Sequence, residues 1–207
     1  MTIHGLIPVA GLSSRMGEHG FKPLLPLLGK TVIETTVDSM LLAGVDCVVI
    51  VLGHRADEIK KVLSGREGSN HLIYVYNQDP AATDMFASVK IGLQAMPEGD
   101  AFFLLPGDMP LVKQETFSQL LRVREQTGAR LIYPAVKGHK KHPPLIDKTL
   151  IPLILADEQG DGLRGVFGQY TRMYPDQVVL QEIIDSGCIT DIDTIEDYKR
   201  VLHRESP

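Results

Sequence analysis

A glycine-containing segment near the N-terminus has residue types that suit an anionic ligand. An apolar run at residues 6–9 leads into Ala-Gly-Leu-Ser-Ser-Arg-Met-Gly at residues 10–17, and Lys22 follows shortly afterwards. The two glycines let the backbone approach a ligand closely, and the two serines add hydroxyl donors beside backbone N–H groups. Arg15 can bind a phosphate through two parallel hydrogen bonds, whereas Lys22 offers a point charge. These residues predict a loop that binds a polyphosphate.

The spacing within this loop excludes the two most familiar phosphate-binding motifs. A Walker loop requires Gly-Lys followed by Ser or Thr, but here Gly17 is followed by Glu18. A dinucleotide-binding fingerprint requires the pattern G-x-G-x-x-G, which the segment lacks. The loop is therefore of a different type and carries its own arginine and lysine.

Two acidic positions could complete a phosphate site with a metal ion. Asp108 lies in the turn Pro-Gly-Asp-Met-Pro that follows an apolar run, where a carboxylate can hold Mg²⁺ against phosphate oxygens. The alternative is an ordinary Gly-Asp turn. Asp193, in the sequence Asp-Ile-Asp at residues 191–193, could be a second metal ligand. The residues alone favour the simpler interpretation that Asp193 caps the C-terminal helix or compensates its dipole.

Other polar residues follow predicted strands or begin predicted helices. Asn77 ends an apolar run, and Asp84 opens a helical segment that contains Ser88. Asp84 and the first N–H groups of that helix could bind a ligand, although a simple helix cap also explains the acid. His139 and His142 flank two lysines. This basic segment could bind an anionic acceptor, or it could be a turn exposed to solvent.

Apolar runs alternate with helically periodic segments, which is typical of βαβ units. Strands are predicted at residues 6–9, 47–52, 72–76, 101–105 and 129–134, and helices at residues 31–43, 56–63, 84–96 and 114–125. Thr31 and Glu34 have the spacing of a capping box, and Gly44 would end that helix. The continuous apolar run at residues 48–52 indicates a strand that is buried on both faces of a parallel sheet. Ligands of such sheets bind at the carboxyl ends of the strands, where the glycine loop, Asn77 and Asp108 would meet.

The last third of the chain is less regular. The basic, proline-containing residues 137–144 predict a loop or an edge hairpin. A short strand is expected at Leu145-Ile146, a helix at residues 148–156 that is interrupted near Pro152, a short helix at residues 162–170, and a last helix with Thr194 as its N-cap.

Composition narrows the function classes. The 207 residues are 43% hydrophobic and 23% charged, which fits one globular domain. The net charge of -5 argues against nonspecific binding of nucleic acid. The 2 cysteines are not in a metal-binding spacing. No apolar run approaches the ~20 residues that span a bilayer, so we expect a cytoplasmic protein with neither membrane nor nucleic acid as a partner.

Together these motifs resemble one family closely. The glycine loop, the sequence Lys-Pro-Leu-Leu-Pro-Leu at residues 22–27, Gly-Asp-Met-Pro at residues 107–110, His-Pro at residues 142–143 and Asp-Ile-Asp at residues 191–193 occur in the order seen in MobA-like nucleotidyltransferases. The resemblance extends over residues 3–202 and is greatest to the molybdenum cofactor cytidylyltransferases. It implies a single α/β domain over residues 1–207, Rossmann-like and of the glycosyltransferase-A type, with a mostly parallel central sheet.

The resemblance also implies an activity and residue roles. CMP would pass from CTP to the phosphate of molybdopterin cofactor, pyrophosphate would leave, and the finished cofactor would be handed to a molybdoenzyme or its maturation factor. Arg15 and Lys22 would stabilise the triphosphate and the leaving group, and Asp108 would hold Mg²⁺ with Asp193 as the second ligand. The other implied contacts are to the nucleotide by Ala10, Gly11, Leu12, Ser13, Ser14, Asn77 and Gly107, and to the acceptor by Ser88 and His142.

Some positions depart from the family pattern. The usual Leu-Ala-Ala-Gly is replaced by Pro8-Val9-Ala10-Gly11, and Asp84 to Ser88 replaces a serine-rich turn. A guanylyltransferase acting on molybdopterin, or an enzyme that activates a sugar or polyol phosphate, therefore stays open, as does a non-enzymatic nucleotide- or cofactor-binding chaperone. Leu-Leu-Pro-Leu at residues 24–27 favours cytidylyl transfer.

Overall fold

The structure is a computed structural model that describes residues 1–12, 20–158 and 161–205. The strands are β1 (Ile3–Pro8), β2 (Pro26–Leu27), β3 (Lys30–Thr31), β4 (Cys47–Leu52), β5 (Leu72–Tyr76), β6 (Ala101–Leu104), β7 (Leu131–Val136), β8 (His139–Lys140), β9 (Leu145–Asp147) and β10 (Val178–Glu182). The helices are α1 (Val32–Leu42), α2 (Ala56–Ser64), α3 (Met85–Gln94), α4 (Gln114–Thr127), α5 (Ile151–Ala156), α6 (Gly162–Met173) and α7 (Ile195–Glu205).

The main sheet is mostly parallel, as the sequence predicts. Its strands lie in the order β10-β7-β9-β6-β1-β4-β5, and β8 pairs with β7. β9 runs antiparallel to both of its neighbours, while β1 pairs in parallel with β4 and β6. Consequently β1, β4, β5 and β6 all end at the same edge of the sheet.

Helices cover both faces of the sheet because the central strands are apolar on both sides. In β4, Val48, Ile50 and Leu52 are fully buried on the face covered by α1, α2 and α4. Val49 and Val51 are buried on the opposite face with residues of α3, α5 and α6. Each such side chain contributes about 1.5–3 kcal/mol by burial.

The signals at the ends of α1 are confirmed. The Oγ1 atom of Thr31 accepts a hydrogen bond from the backbone N–H of Glu34, and the Glu34 carboxylate accepts one from the backbone N–H of Thr31. Gly44, at φ +82°, follows the end of the helix. These contacts lie within one turn of the chain, which is why sequence alone could locate them.

The structure corrects several boundaries in the second half. β7 continues through Pro134 to Val136, and Lys137 and Gly138, both at positive φ, turn the chain into β8. The edge-hairpin alternative is thereby confirmed. The helix predicted at residues 148–156 is a 3-10 turn followed by α5, with Pro152 in the first turn, where a proline needs no N–H partner. α6 continues beyond the predicted residue 170 to Met173.

The sequence did not predict β10 or the small hairpin of β2 and β3. β10 is an edge strand on which no residue is fully buried, so it lacks the continuous apolar run of β4. The hairpin contributes Leu27 to a small cluster with Val32, Ile192 and Val201, through which α7 packs beside the site. Among the described residues, no helix is long and apolar enough to cross a membrane.

Candidate active site

The loops that follow β1, β4, β5 and β6 meet at one edge of the sheet. Hydrogen bonds continue the strand pairing beyond the strands, from Gly107 N to Pro8 O at 3.3 Å and from Asn77 N to Leu52 O at 2.8 Å. The cleft between these loops has a volume of about 210 Å³. Its lining includes eight of the candidate ligand-binding residues, namely Ala10, Gly11, Lys22, Asn77, Asp84, Ser88, Gly107 and Asp108.

Lys22 contacts both of the predicted metal-binding acids. Its Nζ atom lies 2.8 Å from Oδ2 of Asp108 and 3.0 Å from Oδ1 of Asp193. Lys22 begins a 3-10 turn in which Pro23 is buried, so the base of its side chain is fixed. The Lys22 side chain is only 13% exposed, compared with 26% for Asp108 and 34% for Asp193. The pair of carboxylates thus surrounds a largely buried ammonium group.

The local charges stabilise the ionised lysine. Burial by itself would lower the pKa of Lys22, but the charges and hydrogen bonds of Asp108 and Asp193 outweigh it and raise the pKa. Lys22 is therefore a cation at every pH at which the protein would work.

Backbone contacts explain how Asp193 reaches Asp108. The N–H of Ile192 donates to the carbonyl oxygen of Asp108 at 3.0 Å, which pins residues 191–193 beside the loop after β6. The cap of α7 is formed by other residues, because Thr194 Oγ1 accepts from Asp197 N and Asp197 Oδ2 accepts from Thr194 N. The described contacts therefore give the cap to Thr194 and Asp197, whereas the Asp193 carboxylate contacts Lys22.

The chemistry of this donor set fits Mg²⁺. Carboxylate oxygens are preferred ligands of Mg²⁺, and such sites usually combine one or two protein carboxylates with substrate phosphates. Within residues 1–12, 20–158 and 161–205, no group of three or more His, Cys, Asp or Glu side chains could hold a metal ion. Asp108 and Asp193 already share one cation, Lys22, so the two can converge on a positive charge.

The Asn77 side chain forms hydrogen bonds that connect the residues of one wall of the cleft. Its side-chain amide donates to Thr83 Oγ1 at 2.7 Å and to Ser88 Oγ at 3.1 Å, and its Oδ1 accepts from Asp79 N at 3.1 Å. Asn77 is 6% and Ser88 3% exposed. The amide thus links the end of β5 to the start of α3 across the intervening loop.

Asp84 is the N-cap of α3. Its Oδ1 accepts from the N–H of Ala87 at 2.8 Å, which bears out the capping interpretation. Asp84 and Met85 also line the cleft, and Met85 is 53% exposed. An acid and an apolar side chain thus stand at this end of the cleft.

His142 lies beside the cleft but is not among the residues that line it. Its Nδ1 donates to the carbonyl oxygen of Leu104 at 3.4 Å, and the peptide bond to Pro143 is cis. Burial lowers the pKa of His142, although the bond to Leu104 and the charges of Asp108 and Asp191 oppose that effect.

The remaining residues that the sequence predicts at the site either lie away from the cleft or fall outside the described residues. Leu12 is 47% exposed and does not line the cleft. Ser13, Ser14 and Arg15 lie outside the described residues. Five further cleft residues were not singled out, namely Pro23, Pro80, Thr83, Met85 and Pro106. Pro23 follows Lys22, and Pro106 lies two residues before Asp108. Their closeness to these two candidates in the sequence could have identified both prolines as cleft residues.

Comparison with known proteins identifies the family to which the chain belongs. The family of MobA-like NTP transferase domains matches residues 5–173. Nicotine blue oxidoreductase of Paenarthrobacter nicotinovorans is 30% identical over 206 residues, which are 97% of this chain and 96% of that protein.

Two other relatives are much longer than this chain. The bifunctional protein GlmU of Brevibacillus brevis is 31% identical over 163 residues, 78% of this chain and 32% of that protein. CMP-5'-(3-aminopropyl)phosphonate synthase of Streptomyces rubellomurinus is 31% identical over 110 residues, 52% of this chain and 17% of that protein. The matched part is thus about a third of GlmU and less than a fifth of the synthase.

Solved structures have the same fold. A nucleotidyl transferase from Methanothermobacter superposes with a TM-score of 0.80 at 26% identity, over 98% of this chain and 97% of that one. The manganese complex of Rv0371c from Mycobacterium tuberculosis H37Rv superposes with a TM-score of 0.72 at 23% identity, over 98% and 99% of the two chains. The second likeness concerns the fold alone.

Proposed function

The chain belongs to the family of MobA-like NTP transferase domains, and we propose that it transfers CMP from CTP to the phosphate of molybdopterin cofactor. An oxygen of the acceptor phosphate forms a bond to the α-phosphorus of CTP. The bond from that phosphorus to the oxygen bridging to the β-phosphate breaks, and its electron pair leaves with pyrophosphate. Such a reaction needs positioning and charge neutralisation more than covalent participation by the protein.

The observation that carries this proposal is the position of Lys22 between Asp108 and Asp193 at the cleft. A phosphoryl-transfer site needs a cation for the leaving group and carboxylates for a divalent metal, and both are present within hydrogen-bonding distance. We assign Lys22 to the β- and γ-phosphates, together with Arg15 in the adjoining loop. Simple nucleotide binding would not require this lysine and the two acids to converge on one point.

Asp108 and Asp193 would hold Mg²⁺ next to the triphosphate. When bound, the ion would neutralise charge on the phosphate oxygens as pyrophosphate leaves. Lys22 must then exchange its carboxylate partners for phosphate oxygens, which its flexible side chain permits. Ala10, Gly11 and Gly107 present backbone at the cleft on which the nucleotide would lie, with Ser13 and Ser14 as further nucleotide contacts.

CTP is favoured over the other nucleotides by two observations. The sequence Leu-Leu-Pro-Leu at residues 24–27 is the one expected of the cytidylyltransferases, and one relative is named a CMP-phosphonate synthase. Ser88 and His142 are assigned to the acceptor side. The proposed location is the cytoplasm, where CTP is available, with handover of the product to a molybdoenzyme or its maturation factor.

A thermal-shift panel with CTP, GTP, ATP and UTP, each with and without Mg²⁺, tests the nucleotide. A ligand that binds only the folded state raises the melting temperature by mass action. We expect the largest shift with CTP and a further increase with Mg²⁺. Pyrophosphate release from CTP with molybdopterin as acceptor then tests the reaction. A larger shift with GTP would favour a guanylyltransferase, and release only with a sugar or polyol phosphate would reassign the acceptor.

The match to nicotine blue oxidoreductase, over 97% of this chain, supports a second candidate, an oxidoreductase that uses a reduced nicotinamide dinucleotide. In that case the cleft would bind a reduced dinucleotide rather than CTP. Adding NADH or NADPH with nicotine blue and following the absorbance of each decides between the two. Consumption of the dinucleotide in the absence of pyrophosphate release would overturn the transferase proposal.

A further inference from the structure

The corner between β4 and α2, formed by Gly53, His54 and Arg55, contacts Ala10, where the glycine loop begins, and Phe21, the residue before Lys22. We propose that His54 and Arg55 are positioning residues that hold Ala10 and Phe21 and thereby set the place of Lys22. The inference rests on the proposed function in so far as the loop is taken to bind a polyphosphate. Neither residue is among those that line the cleft.

The first contact is with Ala10, where the chain leaves β1. The backbone N–H of His54 donates to the carbonyl oxygen of Ala10 at 3.1 Å. A Cβ atom at Gly53 would lie 2.7 Å from that oxygen and 2.9 Å from Cβ of Pro80. Only glycine fits so close to backbone, so the corner presses directly against two residues that line the cleft.

The second contact is with Phe21, the residue before Lys22. The His54 ring meets the Phe21 ring edge to face, with centroids 5.4 Å apart, and the Cζ atom of Arg55 lies 4.9 Å from the Phe21 centroid. Both arrangements attract, because the ring face is electronegative and its edge electropositive. Phe21 is only 5% exposed, so a shift of its ring would shift the backbone that carries Lys22.

Arg55 adopts a backbone conformation that favours glycine. Its φ is +52° and ψ is +37°, in the left-handed region, where a side chain costs free energy. The guanidinium is oriented by Glu58, with Nε 2.5 Å from Oε1 and an NH2 nitrogen 2.6 Å from Oε2. A glycine would adopt this corner more easily, which indicates that the arginine side chain is present for its contacts.

These contacts form a continuous path to the cleft. The corner fixes Ala10 on one side and Phe21 on the other, and Lys22 follows Phe21 into the 3-10 turn whose lysine reaches Asp108. Loss of the Arg55 side chain should therefore misplace the Lys22 ammonium without removing any atom from the cleft.

The test measures binding of inorganic tripolyphosphate with Mg²⁺ by calorimetry, because this probe needs neither a base nor an acceptor. Arg55→Gly and His54→Ala should weaken binding by about tenfold, a size typical of coupled neighbouring residues, and Arg55→Lys should restore part of the loss. The melting temperature of Arg55→Gly should change little, because relief of the backbone strain offsets the lost contacts and the greater freedom of glycine in the unfolded chain. Lys60→Ala is the matched control, since Lys60 lies on the same helix over Tyr74 and Tyr76 and should bind like the wild type.

A double-mutant cycle separates positioning from direct contact. If Arg55 acts through Lys22, Arg55→Gly should cost little in a Lys22→Ala background. An undiminished loss there would overturn the proposal, as would wild-type binding by Arg55→Gly. If the wild type binds neither tripolyphosphate nor any NTP, the loop is not a phosphate site and both proposals fail. If the variants behave as expected but CTP is not a substrate, only the proposed function fails.

Discussion

The Nζ atom of Lys22 lies 2.8 Å from Oδ2 of Asp108, although the two residues are 86 positions apart in the chain. The same ammonium also lies 3.0 Å from Oδ1 of Asp193, so one lysine contacts both carboxylates. Lys22 thus lies between the two acids to which the proposed function assigns a divalent ion. If that assignment holds, the lysine and the ion compete for the acids until a polyphosphate offers Lys22 another anionic partner.

This competition predicts that Lys22→Met binds Mn²⁺ more tightly than the wild type when no nucleotide is present. Removal of one positive charge near the site should raise the affinity by about tenfold, since a charge pair near a protein surface is worth a few kcal/mol at most. Electron paramagnetic resonance of free Mn²⁺ measures the change. Lys30→Met, which breaks the Lys30–Asp38 pair away from the cleft, is the control. Unchanged Mn²⁺ affinity in Lys22→Met would contradict the competition.

Asp108→Asn should abolish most of the Mg²⁺-dependent turnover while the protein remains folded. Loss of one group that stabilises developing charge typically costs about 10²–10³ in rate. Pyrophosphate release measures the effect, and Asp176→Asn at an exposed position is the matched control. Retention of near wild-type turnover at saturating Mg²⁺ would remove Asp108 from the metal site.

The sequence predicted those features that local chemistry or strand order determines. The Thr31–Glu34 cap lies within one turn, and Asp108 was placed near the glycine loop because parallel strands end at one edge. Asp193 could not be placed from its neighbours, since the hydrogen bond from Ile192 N to Asp108 O depends on the tertiary fold. The residues alone allowed Asp193 or Thr194 to cap the last helix, and the structure confirms Thr194 as the cap, together with Asp197.

Pro134 shows the limit of a residue-type rule. A proline ordinarily argues against a strand interior, the rule behind the loop or edge hairpin predicted at residues 137–144, and the predicted strand ended at Pro134. In the structure its carbonyl oxygen accepts from Lys141 N at 2.8 Å, and β7 continues to Val136. The proline is tolerated because its missing N–H interrupts only one bond of the ladder.

The pair of Arg124 and Asp147 predicts how stability depends on pH. Burial alone would raise the pKa of Asp147, but hydrogen bonds from Thr149 and Arg124 outweigh it and lower the pKa. A depressed pKa stabilises the folded state above the unfolded value of about 3.9, and the contribution is lost as the pH falls through the folded pKa. Asp147→Asn should therefore cost about 1–3 kcal/mol at pH 7.

Urea denaturation at pH 7 and at a series of values below pH 4 measures this dependence. The difference between Asp147→Asn and the wild type should shrink toward zero as the pH falls, because the wild-type carboxylate becomes neutral as well. Asp176→Asn serves again as an exposed control and should match the wild type throughout. A difference that is independent of pH would show that charge on Asp147 does not stabilise the fold.

A substitution of Asn77 tests whether its side chain stabilises one wall of the cleft or contacts the nucleotide directly. Its amide already bonds to Thr83, Ser88 and Asp79, and Asn77→Ala would remove the hydrogen bond to the buried Ser88 hydroxyl at a cost of about 1–3 kcal/mol. We expect a lower free energy of unfolding and a higher KM for CTP together, because the loop between β5 and α3 forms one wall of the cleft. Thr83→Ala should produce the same two effects to a smaller extent, and Asn70→Ala, at an exposed position, should produce neither. If Asn77→Ala were as stable as the wild type but failed to bind CTP, the amide would contact the nucleotide directly, and the hydrogen bonds seen here would be exchanged on binding.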